Sequence, residues 1–119
     1  MNTTSSETTA GYHLHPNGGG LVADTATVAD TAYVGPYAWV LESAVLCDNA
    51  VVLDSARVGG NAVVSGNAMV CGMARVCGTA VLRGKAWVCE SAVICGTAVI
   101  CGTAVVRGNA VLESGCITE

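Results

Sequence analysis

Few side chains in this 119-residue chain can do chemistry, and they fall into three groups. His13 and His15 lie in the segment Tyr12 to Gly20, where alternation puts both imidazoles on one side of an extended strand. Such a pair is a candidate general base or the beginning of a zinc site. Seven cysteines form the second group; Cys71 and Cys89 are 18 residues apart, and so are Cys77 and Cys95. Hydroxyls form the third, with Ser43, Ser91, Thr79 and Thr97 as the positions that a nucleophile would need. No histidine stands anywhere after His15, so these hydroxyls have no base nearby in sequence and read as turn residues. A catalytic zinc needs three protein ligands. The chain holds two histidines, so a metal would need a further ligand recruited across a symmetry axis, and no metal or other cofactor is expected.

What must position these groups is a six-residue phrase repeated without insertion or deletion. One slot is aliphatic sixteen times, from Val22, Val28 and Val34 through Val58, Val76 and Ile94 to Leu112. Two residues before it stands alanine, from Ala26 to Ala110. A strict short period of this kind marks a stacked array. Alanine and the aliphatic residue are two apart and share one face of a short strand, while the residues between and after point the other way. The remaining positions are turn formers such as Asp24-Thr25, Gly60-Asn61 and Gly78-Thr79. A helix cannot use the pattern, because six residues advance about 600° at 3.6 per turn and scatter the aliphatic slots around the axis. Three segments are expected: a disordered tail over 1–11, an entry and cap segment over 12–20 with Tyr12 and Leu14 plugging the first layer, and the array over 21–119.

The repeat over residues 21 to about 116 resembles the hexapeptide-repeat proteins, and the segment HPNGGGLVADTA is similar to that of uncharacterised bacterial members labelled as transferases. The resemblance implies an all-β fold, a left-handed parallel β-helix of triangular section with three hexads per coil and a little over five coils. It also implies a homo-oligomer, most often a trimer. In that family acyl transfer uses a histidine near an extruded loop, and carbonic anhydrases use three histidines on zinc. This repeat carries neither a histidine nor an inserted loop, so only His13 or His15 could stand in as catalytic residues.

Sorting every third hexad together gives three walls. On the second, Val45, Val63, Val81 and Val99 are expected to face outward, followed by Ile117; on the third, Tyr33, Val51, Met69, Trp87 and Val105. Valine ladders outside as well as inside point to an oligomer interface, because soluble monomers rarely leave a large contiguous apolar patch bare. Stacked cysteines are expected as unbonded thiols, since side chains on neighbouring parallel strands run alongside each other instead of meeting.

Composition narrows the partners. Net charge is −4 with five basic residues, which argues against a nucleic-acid partner. Glycine and alanine interrupt every apolar run before the roughly eighteen residues of a membrane helix, so no membrane partner is expected. Met1 to Ala10 has no basic start or apolar core, so no signal peptide is expected there, and with seven cysteines the expected location is the cytoplasm. The expected function is a non-catalytic structural or protein-interaction module that self-associates through its walls. An acyltransferase-like trimer is the alternative, and an acidic DNA-mimic inhibitor, using corner carboxylates such as Asp24, Asp30, Glu42, Asp48, Asp54 and Glu90, is a second.

Overall fold

The computed structural model describes residues 11–118, so the tail expected over 1–11 lies, apart from Gly11, outside the described residues, as does Glu119. Each hexad folds as a two-residue strand and a tight corner. The chain is all-β, and successive hexads climb as a parallel β-solenoid of about five turns. Among the described residues, eighteen strands, numbered β1 to β18 in chain order, fall into three sheets that are the three walls.

The first wall runs β1 (Tyr12–Leu14), β2 (Leu21–Ala23), β5 (Trp39–Val40), β8 (Arg57–Val58), β11 (Arg75–Val76), β14 (Val93–Ile94) and β17 (Val111–Leu112). The second holds β3 (Thr27–Val28), β6 (Val45–Leu46), β9 (Val63–Val64), β12 (Val81–Leu82), β15 (Val99–Ile100) and β18 (Cys116–Ile117). The third holds β4 (Tyr33–Val34), β7 (Val51–Val52), β10 (Met69–Val70), β13 (Trp87–Val88) and β16 (Val105–Val106). All pairs are parallel except β1 with β2, which is an antiparallel hairpin, and every parallel pair keeps an 18-residue register except β15 with β18. No described helix is long and apolar enough to cross a membrane.

The interior is what the two-residue alternation requires. Val34, Val40, Leu46, Leu82, Ile94 and Ile100 are wholly buried, each with the preceding alanine beside it. Alanine is small because the triangular section leaves no room for two large side chains per strand. The backbone ladder runs through flats and corners alike: Val63 N–H donates to Ala80 C=O at 2.9 Å and Asn61 N–H to Gly78 C=O at 2.7 Å. Each coil is thus tied to the next by main-chain bonds that depend on no particular outward side chain.

From Glu42 to Gly108 each corner uses a left-handed residue two places after the aliphatic slot, whereas the first three corners, at Asp24, Asp30 and Pro36, do not. Gly60, Gly78 and Gly96 supply it on one edge, with φ of 64°, 67° and 65°. Ala62 N–H then closes the turn on Gly59 C=O at 3.2 Å. This positive φ at the first central residue is the reason glycine recurs there.

Two expectations need correction. Leu14 is 50% exposed and plugs nothing, and Tyr12 is half-buried; the residue that goes inside at this end is His15, 3% exposed. β1 ends at Leu14, and the chain turns His15 inward as it enters the hairpin loop closed by Gly19 N–H on His15 C=O at 2.9 Å. Gly20 must be glycine there, because a Cβ would lie 2.3 Å from Val34 Cγ1 and 2.4 Å from Gly35 O. At the far end the last corner is one residue short: Ile117 pairs with Ile100 and Cys116 with Val99. Ile117 therefore packs against the core instead of facing outward, and Cys116 takes the outward place. A strand shifted by one residue reverses the facing of all its side chains.

Candidate functional site

The two histidines are separated by their surroundings. His13 stays outside, and its Nδ1 lies 2.7 Å from an Asp24 carboxylate oxygen. Because the carboxylate accepts, Nδ1 carries the hydrogen and Nε2 of a neutral ring is left as a base open to solvent. His15 points into the end of the prism, where its Nε2 donates to Ala32 C=O at 2.8 Å. Asn17 Nδ2 donates to the same carbonyl at 3.1 Å, so the entry segment caps the first turn of the third corner edge with two side-chain donors. His15 is engaged in holding backbone, and His13 is the one imidazole available for chemistry. No group of three or more His, Cys, Asp or Glu side chains gathers among the described residues.

The cysteines pair along the solenoid. Cys71 stacks beside Cys89, and Cys77 beside Cys95, as spacing by 18 predicts. A third pair, Cys101 with Cys116, exists because the last corner is short. All seven described cysteines are free thiols. Burial, and then the neighbouring Cys95, pushes the Cys77 thiol above the ordinary range. Cys89 is raised by burial and by Cys71, Cys47 by burial and by Asp48, and Cys116 first by its hydrogen bond with Cys101. Neutral thiols are poor nucleophiles, so these positions are unsuited to covalent catalysis at neutral pH. Trp87 Nε1 also donates to Cys71 Sγ at 3.3 Å, tying the indole to the neighbouring coil.

Four of the corner carboxylates, named from the sequence only for a DNA-mimic surface, have a structural use. Glu42, Asp48, Asp54 and Glu90 occupy the left-handed corner slot, with φ of 57° to 61°. Each folds toward the next coil and accepts from the N–H of the glycine 18 residues on: Gly60 at 2.5 Å, Gly66 at 3.1 Å, Gly72 at 2.9 Å and Gly108 at 2.6 Å. A left-handed conformation costs an L-residue about 1 to 2 kcal/mol. A charge-assisted hydrogen bond is worth a similar amount, so the acid is tolerated where alanine would not be. The signal was available: every such acid is followed 18 places later by glycine.

The outward walls carry the residues expected at an interface. Val45, Val63, Val81 and Val99 stand in register on the second wall, each half-buried by its neighbours. On the third, Val51, Met69, Trp87 and Val105 stand in line below Tyr33, with Trp87 45% and Val105 48% exposed.

No family model, curated protein or solved structure matches this chain.

What the walls can do therefore rests on their own geometry. They are flat, because in-register parallel strands place like side chains side by side at about 4.8 Å. They are stiff, because main-chain bonds link every coil to the next on the flats and, from Ser43 N–H on Gly60 C=O onward, at the corners as well. Ahead of the aliphatic slot, their outward residues are mostly apolar on the second and third walls and mixed on the first.

Proposed function

We propose that this chain is a rigid structural or interaction module that self-associates through its second and third walls. The observation that carries this reading is the register-matched run of Val45, Val63, Val81 and Val99, an apolar stripe across four neighbouring coils, with Met69, Trp87 and Val105 on the adjacent wall. Contiguous exposed apolar surface on a soluble protein usually belongs to an interface. A copy of the same flat wall is a natural complement, since its side chains repeat at the same interval along the axis. A trimer, the left-handed sense of the coil and membership among hexapeptide-repeat proteins belong to this proposal, supported by the 18-residue turn and its alanine and aliphatic slots.

The test is the double substitution Val63→Lys with Val81→Lys, read by light-scattering mass and far-UV circular dichroism. The reading requires a smaller particle with the β signal kept. An unchanged mass in a folded variant removes the second wall from the interface.

A second reading, acyl transfer within such a trimer, has one observation in its favour: His13 is held by Asp24 with its other nitrogen facing solvent. His13→Ala would then abolish acyl-CoA binding or turnover while leaving folding intact. Equal binding by both proteins removes that reading.

A further inference from the structure

The first wall differs from the other two. Its outward residues include Trp39, Arg57 and Arg75, the two arginines directly paired on β8 and β11. Like charges opposite each other on neighbouring strands repel and are normally avoided or compensated. Neither guanidinium is ion-paired among the described residues, where His13 with Asp24 is the single ion pair. Arg57 is instead laid over the Trp39 ring, 5.2 Å from its centroid, which orients the guanidinium without neutralising it.

Beside this pair the wall is indented. The position following the aliphatic slot carries Leu41 on one coil and Cys77 two coils on, but Gly59 lies between them. The missing side chain leaves a hollow of about 240 Å³, lined by Leu41, Glu42, Arg57, Gly59, Arg75 and Cys77. Gly59 is not in the left-handed region, so the corner geometry does not require glycine here, in contrast to Gly60. A Cβ at Gly59 would point at Glu42 Oε1, 3.2 Å away, and Leu41 Cβ, 3.4 Å away. Glu42 is the one acid at the rim, and its Oε1 is already taken by Gly60 N–H.

We propose that this hollow is a binding site for a small organic oxyanion, a carboxylate or phosphate monoester with a compact apolar body. Two arginines in register on neighbouring strands, both lining the hollow, supply several N–H donors of the kind that grips carboxylate and phosphate oxygens. Their formal charge exceeds that of Glu42 by one, so an anion relieves the repulsion along the ladder. Leu41 and Cys77 give the ligand's apolar part a floor, and the vacancy above Gly59 gives it room. The volume suits a ligand of a few to about ten heavy atoms, below the range of ordinary cofactor pockets. This wall is not one of the two proposed for self-association, so the site stays open in such an assembly.

The test titrates phenyl phosphate, and inorganic phosphate in parallel, into the intact protein by calorimetry or by amide shifts of residues 57–60 and 75–77. Phenyl phosphate is expected to bind several-fold more tightly than inorganic phosphate. Arg57→Gln and Arg75→Gln are each expected to weaken it on the order of tenfold, the usual effect of losing a hydrogen bond to a charged group. Gly59→Leu, which fills the hollow, is expected to abolish binding, and Glu42→Gln to strengthen it. Arg83→Gln, an arginine on another wall, is expected to change nothing. Circular dichroism of each variant checks that the solenoid is intact, and Gly59→Ala serves as the milder filling should the leucine variant not fold. Unchanged affinity in Arg75→Gln or in the folded Gly59 variant overturns the assignment. So does an equal loss in Arg83→Gln, which would mean that binding follows overall charge, and so does equal affinity for the two phosphates.

Discussion

Replacing Gly78 by alanine tests whether the corners, as much as the core, decide this fold. Gly78 has φ of 67°, and a Cβ built there would lie 2.6 Å from Gly96 N and 2.9 Å from Gly96 O. Both contacts are main chain of the next coil, so relief requires the coils to spread. The left-handed conformation costs alanine about 1 to 2 kcal/mol, and forcing extra volume into a tight contact costs about 1 to 3 kcal/mol. Together these give roughly 2 to 5 kcal/mol, a large part of the roughly 5 to 15 kcal/mol that holds an ordinary domain together. Gly78→Asp introduces the same Cβ, but its carboxylate can accept from Gly96 N–H as Asp54 accepts from Gly72 N–H. It is expected to be less harmful than alanine by about 1 kcal/mol, the scale of one exposed hydrogen bond. Gly59→Ala, one residue from the equivalent corner slot and with ordinary φ, is the control, expected within about 1 kcal/mol of wild type because its nearest contacts are side-chain atoms. Urea unfolding followed by far-UV circular dichroism supplies the three differences. An alanine variant within about 0.5 kcal/mol of wild type, the range of an ordinary surface substitution, would refute the corner argument. An aspartate variant no better than alanine would refute the role given to the carboxylates.

Asp54→Ala keeps a left-handed residue but loses the 2.9 Å bond to Gly72 N–H, and is expected to lower stability by about 1 to 2 kcal/mol. Asp54→Gly removes the strain as well and should cost less, which thermal unfolding of the pair will show. His15→Ala is expected to cost about 1 to 3 kcal/mol and to speed amide exchange at residues 32–35, because a buried donor to Ala32 C=O is removed. His13→Ala, which breaks an exposed pair, should stay within about 1 kcal/mol in the same experiment. Cys77 and Cys89 have thiols raised by burial and by their stacked partners, so iodoacetamide should modify them more slowly in the folded than in the urea-unfolded chain at pH 8. With the folded pKa above the unfolded one, their stabilising contribution is complete below the ordinary thiol range. It is lost as pH rises from there through the folded value, so the urea midpoint should fall across that interval. A midpoint that rises would reverse the assignment.

The sequence on its own determined which side chains face inward and which share a wall. That information is periodic and local: two residues apart means the same face of a strand, and eighteen apart means the same wall, so Val63, Val81 and Val99 could be stacked without coordinates. The left-handed acids were also legible, in the regular pairing of Glu42 with Gly60 or Asp54 with Gly72, although weighing them only as a DNA-mimic surface passed over it. Only the tertiary structure decided what happens where the period stops. His15 turns inward because the hairpin ends one residue earlier than alternation supposes, and Leu14 is left outside in its place. Ile117 reaches the core, and Cys116 reaches Cys101, because one missing corner residue slips the last strand. The hollow beside Arg57 and Arg75 likewise depends on what Leu41, Glu42 and Cys77 leave empty around Gly59. A repeat states the contacts between its own copies, whereas the contacts at its ends and gaps exist only once the coils have closed on one another.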